Sequence, residues 1–195
     1  MPVKRAHHPP GGRAIVVKQP LPSDVVGPEL WVEGDTVVIL SGCMWRSCGG
    51  GQRPVALARA WARRGLRVIY CNPCEQGAQW AGGPLVVNPE TLRRLEPLLW
   101  QDKPGLVHCG LQAYWEIAKR FQGHGWHVCY DIMDDWRAFA KVGEAHYYRE
   151  EVERELLDQA DMLTCSAPAL QAYPHNGRHP ELIYNAGPNE PVRAC

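Results

Sequence analysis

From Thr36 onward, short runs of β-branched and apolar residues alternate with stretches whose apolar side chains recur at helical spacing. This alternation restricts the fold more than any other feature of the chain. Parallel strands need a crossover connection, most often a helix, so the pattern predicts βαβ units around a parallel sheet. The runs are Thr36–Leu40, Leu66–Tyr70, Leu85–Val87, Gly105–His108, His127–Asp131, Met162–Cys165 and Leu182–Tyr184. Between them, Pro54 is placed to open a helix that carries Leu57 and Trp61 on one face and stops at Gly65. Asn88-Pro89 supplies a cap and first turn for a helix with Leu92, Leu95 and Leu99 on one side. A third helix carries Leu111, Tyr114, Trp115 and Ala118 and closes at Gly123. A fourth spans Glu150 to Asp158, after a polar loop. The expected fold is α/β: a Rossmann-like, doubly wound, mostly parallel sheet with helices on both faces.

Residues 1–30 hold six of the 17 prolines and read as a Pro/Gly-rich arm, with one short strand at Ala14–Val17. The Rossmann-like domain is expected over residues 31–190, followed by the start of a linker at 191–195. In such a sheet, ligands bind outside the carboxyl ends of the strands, near the point where strand order reverses. The side chains just after each strand are therefore the candidates for function.

The first of these segments is Gly49-Gly50-Gly51-Gln52-Arg53, between the first strand and the first helix. Glycines let the backbone approach a ligand closely, and a helix N-terminus offers free N–H groups to an anion. The segment is neither G-x-G-x-x-G nor a P-loop, and a flexible turn is its plain structural reading. The second is Tyr130-Asp131-Ile132-Met133-Asp134-Asp135-Trp136. Three carboxylates at a strand end can supply a general base or orient a hydroxyl, because clustering and partial burial raise a carboxylate's pKa toward working pH. Trp136 offers a ring face to a sugar. The plain alternative makes Asp134 or Asp135 a helix cap and Trp136 a core residue. Ser166 and Asn185 follow later strands and complete the expected ligand-binding set.

Eight cysteines are present. Cys71-Asn72-Pro73-Cys74 follows the second strand, and Cys43 and Cys48 follow the first, so neighbouring strands bring four thiols toward one another. A zinc site or a thioredoxin-like redox pair is weighed against ordinary thiols. Ordinary thiols are the expectation, because the C-x4-C half is loosely spaced for zinc and no helix pattern follows Cys74, as a thioredoxin-like pair would require. Cys109, Cys129 and Cys165 read as core residues, and His108 and His127 as core or rim histidines.

Composition narrows the function classes. Lys+Arg and Asp+Glu number 21 each, and this balance provides no electrostatic footprint for nucleic acid. No apolar run approaches the roughly 20 residues of a membrane span, and no apolar core follows the basic N-terminus as in a signal peptide. The expectation is a cytoplasmic protein without a transmembrane segment, with peripheral membrane contact left open.

Several segments together resemble the N-terminal domain of GT-B glycosyltransferases, of the kind grouped in the large families one and four. They are Gln52-Arg53-Pro54 with Leu57-Ala58, Gly65–Tyr70, Tyr130-Asp131 with Asp134-Asp135, Glu155 to Asp161 leading into Ser166, and Leu182–Gly187. In the last, Ala186 separates Asn185 from Gly187, where the familiar form is Asn-Gly-Val-Asp. The resemblance covers about residues 36–190 and implies an acceptor-side domain facing a second Rossmann-like domain that holds a nucleotide-sugar. It further implies that Gly49 to Gly51 line the interdomain cleft near the donor phosphates. Asp131 or Asp134 would activate the acceptor hydroxyl, although no His stands at position 131 as in many relatives. Carboxylates that grip the nucleotide ribose and sugar have no counterpart, so the chain on its own is expected to bind no cofactor. Its expected partners are a sugar acceptor and either a donor-domain chain or further copies of itself. A non-catalytic carbohydrate- or partner-binding module on the same fold is the alternative, with the thiolate metal or redox protein third.

Overall fold

The computed structural model describes residues 35–46, 52–173 and 176–185. The predicted arm with its strand at Ala14–Val17, Cys48, Gly49, Gly50, Gly51 and the 191–195 linker lie outside the described residues.

Eight strands form one sheet: β1 (Thr36–Leu40), β2 (Arg67–Cys71), β3 (Ala78–Trp80), β4 (Leu85–Val87), β5 (Leu106–Cys109), β6 (His127–Ile132), β7 (Met162–Cys165) and β8 (Glu181–Leu182). Their order is β3-β4-β2-β1-β5-β6-β7-β8, and every pairing is parallel except β3 with β4. The chain winds outward from β1 toward β4, then returns to place β5 on the other side of β1. Strand order therefore reverses between β1 and β5, as in a Rossmann-like doubly wound sheet.

The helices are α1 (Arg53–Arg63), α2 (Pro89–Leu99), α3 (Trp115–Gln122), α4 (Trp136–Lys141) and α5 (Glu150–Gln159). Helix α1 lies on one face, where Val55 and Ala58 pack with Val37, Ile39, Val68, Tyr70 and Val86. Helices α2, α3 and α5 cover the other face. Leu92, Leu95 and Leu99 of α2, Trp115 and Phe121 of α3, and Leu156 and Leu157 of α5 share its larger core. Local signals account for the helix ends. The Asn88 side chain accepts a 2.8 Å hydrogen bond from the Thr91 N–H at the start of α2, and Pro54 occupies the first turn of α1. Gly65 follows α1 with φ +85°, a conformation that suits a residue without Cβ.

Three elements differ from the sequence-based expectation. β3 is a three-residue antiparallel edge strand whose Ala-Gln-Trp carries no β-branched residue. α4 interrupts the stretch read as a polar loop. β8 comprises Glu181–Leu182 and not Leu182–Tyr184, although the Ile183 N–H still bonds the Cys165 carbonyl at 2.9 Å. Among the described residues, no helix is long and apolar enough to cross a membrane.

Candidate functional site at the strand ends

Side chains alternate between faces along a strand, and this alternation builds a polar cluster on the α1 side of the sheet. Tyr130 and Ile132 of β6 enter the larger core, so Asp131 points the opposite way. Thr164 of β7 lies directly across from it in the ladder, and His108 of β5 lies across from Cys129, two residues earlier in β6. Asp131 is fully buried and surrounded by donors. Arg53, the first residue of α1, grips it with Nε to Oδ2 at 2.6 Å and Nη2 to Oδ1 at 3.0 Å. Thr164 Oγ1 donates to Oδ1 at 2.7 Å, and His108 Nε2 stands 3.2 Å from Oδ2. Burial alone would raise the pKa of Asp131. The hydrogen bond and charge of His108, joined by Arg53 and Thr164, outweigh it and hold the carboxyl well below the usual carboxylate range.

Arg53 also reaches past β8, donating from Nη1 to the Ile183 carbonyl at 2.6 Å and to Asn185 Oδ1 at 3.3 Å. One guanidinium thus ties the start of α1, the end of β6 and the segment after β8 together. Arg53, Asp131 and Asn185 are separate candidates in the sequence, and the fold brings them into one cluster. In the sequence His108 reads as a core or rim residue. The only signal available for its partnership was its odd-face register with Asp131. Gln52 is exposed just before α1.

Asp134 lies two residues beyond the end of β6 in a different environment. It is half-buried, no described side chain hydrogen-bonds its carboxylate, and burial raises its pKa. Its charge acts on two neighbours, Cys43 after β1 and Tyr147 in the segment before α5. Burial raises the Cys43 thiol, the hydrogen bond with Ser41 opposes that rise, and the charge of Asp134 adds to it. Burial raises Tyr147 as well, and Asp134 adds to that shift. The segments after β1 and β6 and the α4–α5 connection thus share one electrostatic environment at this junction. The junction lies beside the strand-order reversal between β1 and β5. The backbones there are closely packed: a Cβ on Gly110, just after β5, would come within 3.0 Å of the Met133 methyl.

The neighbouring candidates have structural partners. Asp135 caps α4, its Oδ1 accepting the Ala138 N–H at 3.0 Å and the Tyr173 hydroxyl at 3.3 Å. Trp136 is 8% exposed and packs edge-on against Phe139 and Tyr147, so its ring belongs to the wall beneath the site. Ser166 Oγ donates to the Met133 carbonyl at 2.8 Å and fixes the backbone leading into Asp134. Asp135 and Trp136 thus take the capping and core places of the plain reading.

The described cysteines of the candidate thiolate cluster differ in burial. Cys71 lies in the larger core, where burial pushes its thiol up to about 12. Cys74 is exposed and Cys43 intermediate. Among the described residues, no group of three or more His, Cys, Asp or Glu side chains is arranged to hold a metal ion.

Glu153 of α5, which the sequence reading did not single out, organises the segment around the site. Its fully buried carboxylate accepts from the Tyr130 hydroxyl at 3.1 Å, Arg137 Nε at 3.1 Å and the Tyr148 hydroxyl at 2.9 Å. Arg137 in turn lies over the Tyr173 ring at 4.3 Å. These contacts pin α4 and the Tyr147-Tyr148 stretch to α5.

No known protein-family model matches the chain, and neither does any curated protein or any solved structure.

Proposed function

We propose that this chain is the acceptor side of a nucleotide-sugar-dependent glycosyltransferase, with Asp134 as the residue that takes the proton from the acceptor hydroxyl. The observation that carries this reading is the contrast between two aspartates three residues apart. Asp131 is spent on four donors and held ionised, whereas Asp134 has no hydrogen-bonding side chain among the described residues, is half-buried and is raised by that burial. Such separated environments assign roles to paired carboxylates, and a base works best when its pKa approaches the operating pH. The position of Asp134 by the strand-order reversal and the sequence resemblance to GT-B acceptor domains support the same reading.

In the proposed reaction, the acceptor oxygen attacks the anomeric carbon of the sugar while Asp134 accepts the hydroxyl proton. The bond from that carbon to the diphosphate breaks, and the nucleoside diphosphate leaves with the electron pair. Asp131 is a positioning residue that fixes Arg53, and through it Asn185, at the edge of the site. The donor is held by a second domain, as the resemblance implies, because the described residues form one sheet without a nucleotide-gripping carboxylate set.

The test supplies radiolabelled nucleotide sugars to the purified chain, alone and in extract of its host, and counts label transferred to hydroxyl acceptors. Transfer should depend on the chain and fall about 10²- to 10⁴-fold in Asp134→Asn, the range a positioned general base contributes. Full activity in Asp134→Asn, or no chain-dependent transfer from any nucleotide sugar, would overturn the assignment.

A further inference from the structure

Helix α1 and the residue that ends it expose three arginines, Arg59, Arg63 and Arg64, and the helix contains no Asp or Glu. Arg59 and Arg63 stand four residues apart, so they share one stripe of the helix, where like charges repel. The helix dipole favours cations in the last turn, which accounts for Arg63 and Arg64 but not for Arg59 in mid-helix. Arg59 is held over the Trp45 ring at 5.2 Å. None of the three has an ion pair among the described residues. The exposed arginines of α2 and α5 differ, since Arg94 and Arg154 each pair with a glutamate four residues earlier.

The complement to this stripe lies on the opposite face of the sheet. Exposed Glu151, half-buried Glu155 and exposed Asp158 follow one another at i, i+4 and i+7 along α5. The cations beside them are already shared. Lys119 lies between Glu116 and Glu155 at 2.7 and 3.2 Å, and Glu150 holds Arg154 at 3.0 Å. We propose that the arginine stripe of α1 is a docking surface for a second copy of this chain, which presents the acidic stripe of its α5. At a rise of about 1.5 Å per residue, Arg59 to Arg63 and Glu151 to Glu155 each span about 6 Å. An antiparallel crossing therefore sets Arg63 against Glu151 and Arg59 against Glu155. Because the two stripes lie on opposite faces, the contact is heterologous, and each added copy offers a fresh stripe to the next. Exposed ion pairs contribute little each, so the association is weak and screened by salt. Neither stripe includes a residue of the Asp134 site, so this docking does not depend on the glycosyl-transfer reading.

Sedimentation velocity of the full chain measures the association. In about 20 mM salt, the weight-average mass should climb with concentration past that of a dimer. In about 1 M salt, where the screening length is ~3 Å, it should fall to that of a single chain. Arg59→Glu/Arg63→Glu and Glu151→Arg/Glu155→Arg should each remain single chains in low salt, with circular dichroism like the parent. An equimolar mixture of the two variants should associate again, because the two reversed stripes are once more opposite in sign. A chain carrying all four substitutions should associate with itself for the same reason. A parent that stays a single chain at millimolar concentration in low salt overturns the proposal. So does an assembly that stops at a dimer, one that persists in high salt, or a mixture of variants that does not associate. Pelleting of the parent with phosphatidylserine vesicles, lost in Arg59→Glu/Arg63→Glu while the chain alone stays single, would assign the arginines to a lipid surface and overturn it as well.

Discussion

Asp131→Asn should destabilise the fold while Asp134→Asn should not, although the two aspartates stand three residues apart and each substitution removes one negative charge. The Arg53 and Asp131 side chains are 8% and 0% exposed. Substituting Asn leaves a buried guanidinium without its anion and turns an amide NH₂ toward the donors of Arg53, Thr164 or His108. Breaking a buried ion pair by removing one partner costs about 3–5 kcal/mol. With a urea m-value of about 2–3 kcal/mol/M, the midpoint should fall by about 1–2.5 M. Asp134 has no partner to lose among the described residues, and its raised pKa means that burial disfavours its charge, so Asp134→Asn should leave the midpoint unchanged or raise it at neutral pH.

The pH dependences follow from the same signs. The folded-state pKa of Asp131 is depressed, so its contribution is fully present above the ordinary Asp value near ~3.9 and fades as pH falls below it. The folded-state pKa of Asp134 is raised, so its penalty is absent below the ordinary value and fully developed above the folded one. Urea melts at pH 7 and in the acid range, read by tryptophan fluorescence, measure both. A loss under about 1 kcal/mol in Asp131→Asn would show that the Arg53 pair is not the buried lock described here.

Other perturbations check separate parts of the structure. Gly105→Ala places a Cβ 2.1 Å from the Thr36 carbonyl oxygen, a backbone atom that cannot swing aside. It should cost at least the 1–3 kcal/mol typical of overpacking, read as a lower thermal midpoint. Glu153→Ala strands the buried Tyr130 hydroxyl, a loss of about 1–3 kcal/mol before Arg137 and Tyr148 are counted. Hydrogen exchange in α4 should speed up with it, and unchanged exchange would refute the pinning role. Among Cys71, Cys74 and Cys109, alkylation of the native protein should modify exposed Cys74 first. Cys71 and Cys109, both pushed up to about 12 by burial, should react only after denaturant is added. Peptide mass spectrometry distinguishes the order.

The sheet was legible in the sequence because its physics is local and repetitive. The runs at Thr36, Arg67, Leu85, Leu106, His127 and Met162 are mostly β-branched or apolar on both faces, with His108 and Asp131 as buried polar exceptions, as strands covered by helices largely are. Asn88, Pro54 and Gly65 mark helix ends by chemistry that acts within one turn. Where tertiary packing overrode local preference, the reading faltered. Ala-Gln-Trp becomes β3 only because Leu85 to Val87 offers a free edge to pair with. α4 forms within a polar stretch because Asp135 caps it and Arg137 is anchored by Glu153, 16 residues away.

The site follows the same division. The aspartate cluster stands out in sequence as three carboxylates at a strand end, but the division of labour among them does not. Asp131 becomes a structural anion because strand alternation turns it toward His108 and Thr164, and because Arg53, 78 residues earlier, arrives at the start of α1. Asp135 becomes a cap because α4 begins beside it. Asp134 is what the fold leaves over, a carboxylate given neither an ion pair nor a cap among the described residues, whose burial raises its pKa. A purely structural loop gains nothing from holding a carboxylate there, and a neutral residue would remove the burial penalty. A charge at a half-buried position that no described side chain satisfies, just past β6, is therefore the strongest physical argument for testing chemistry at Asp134.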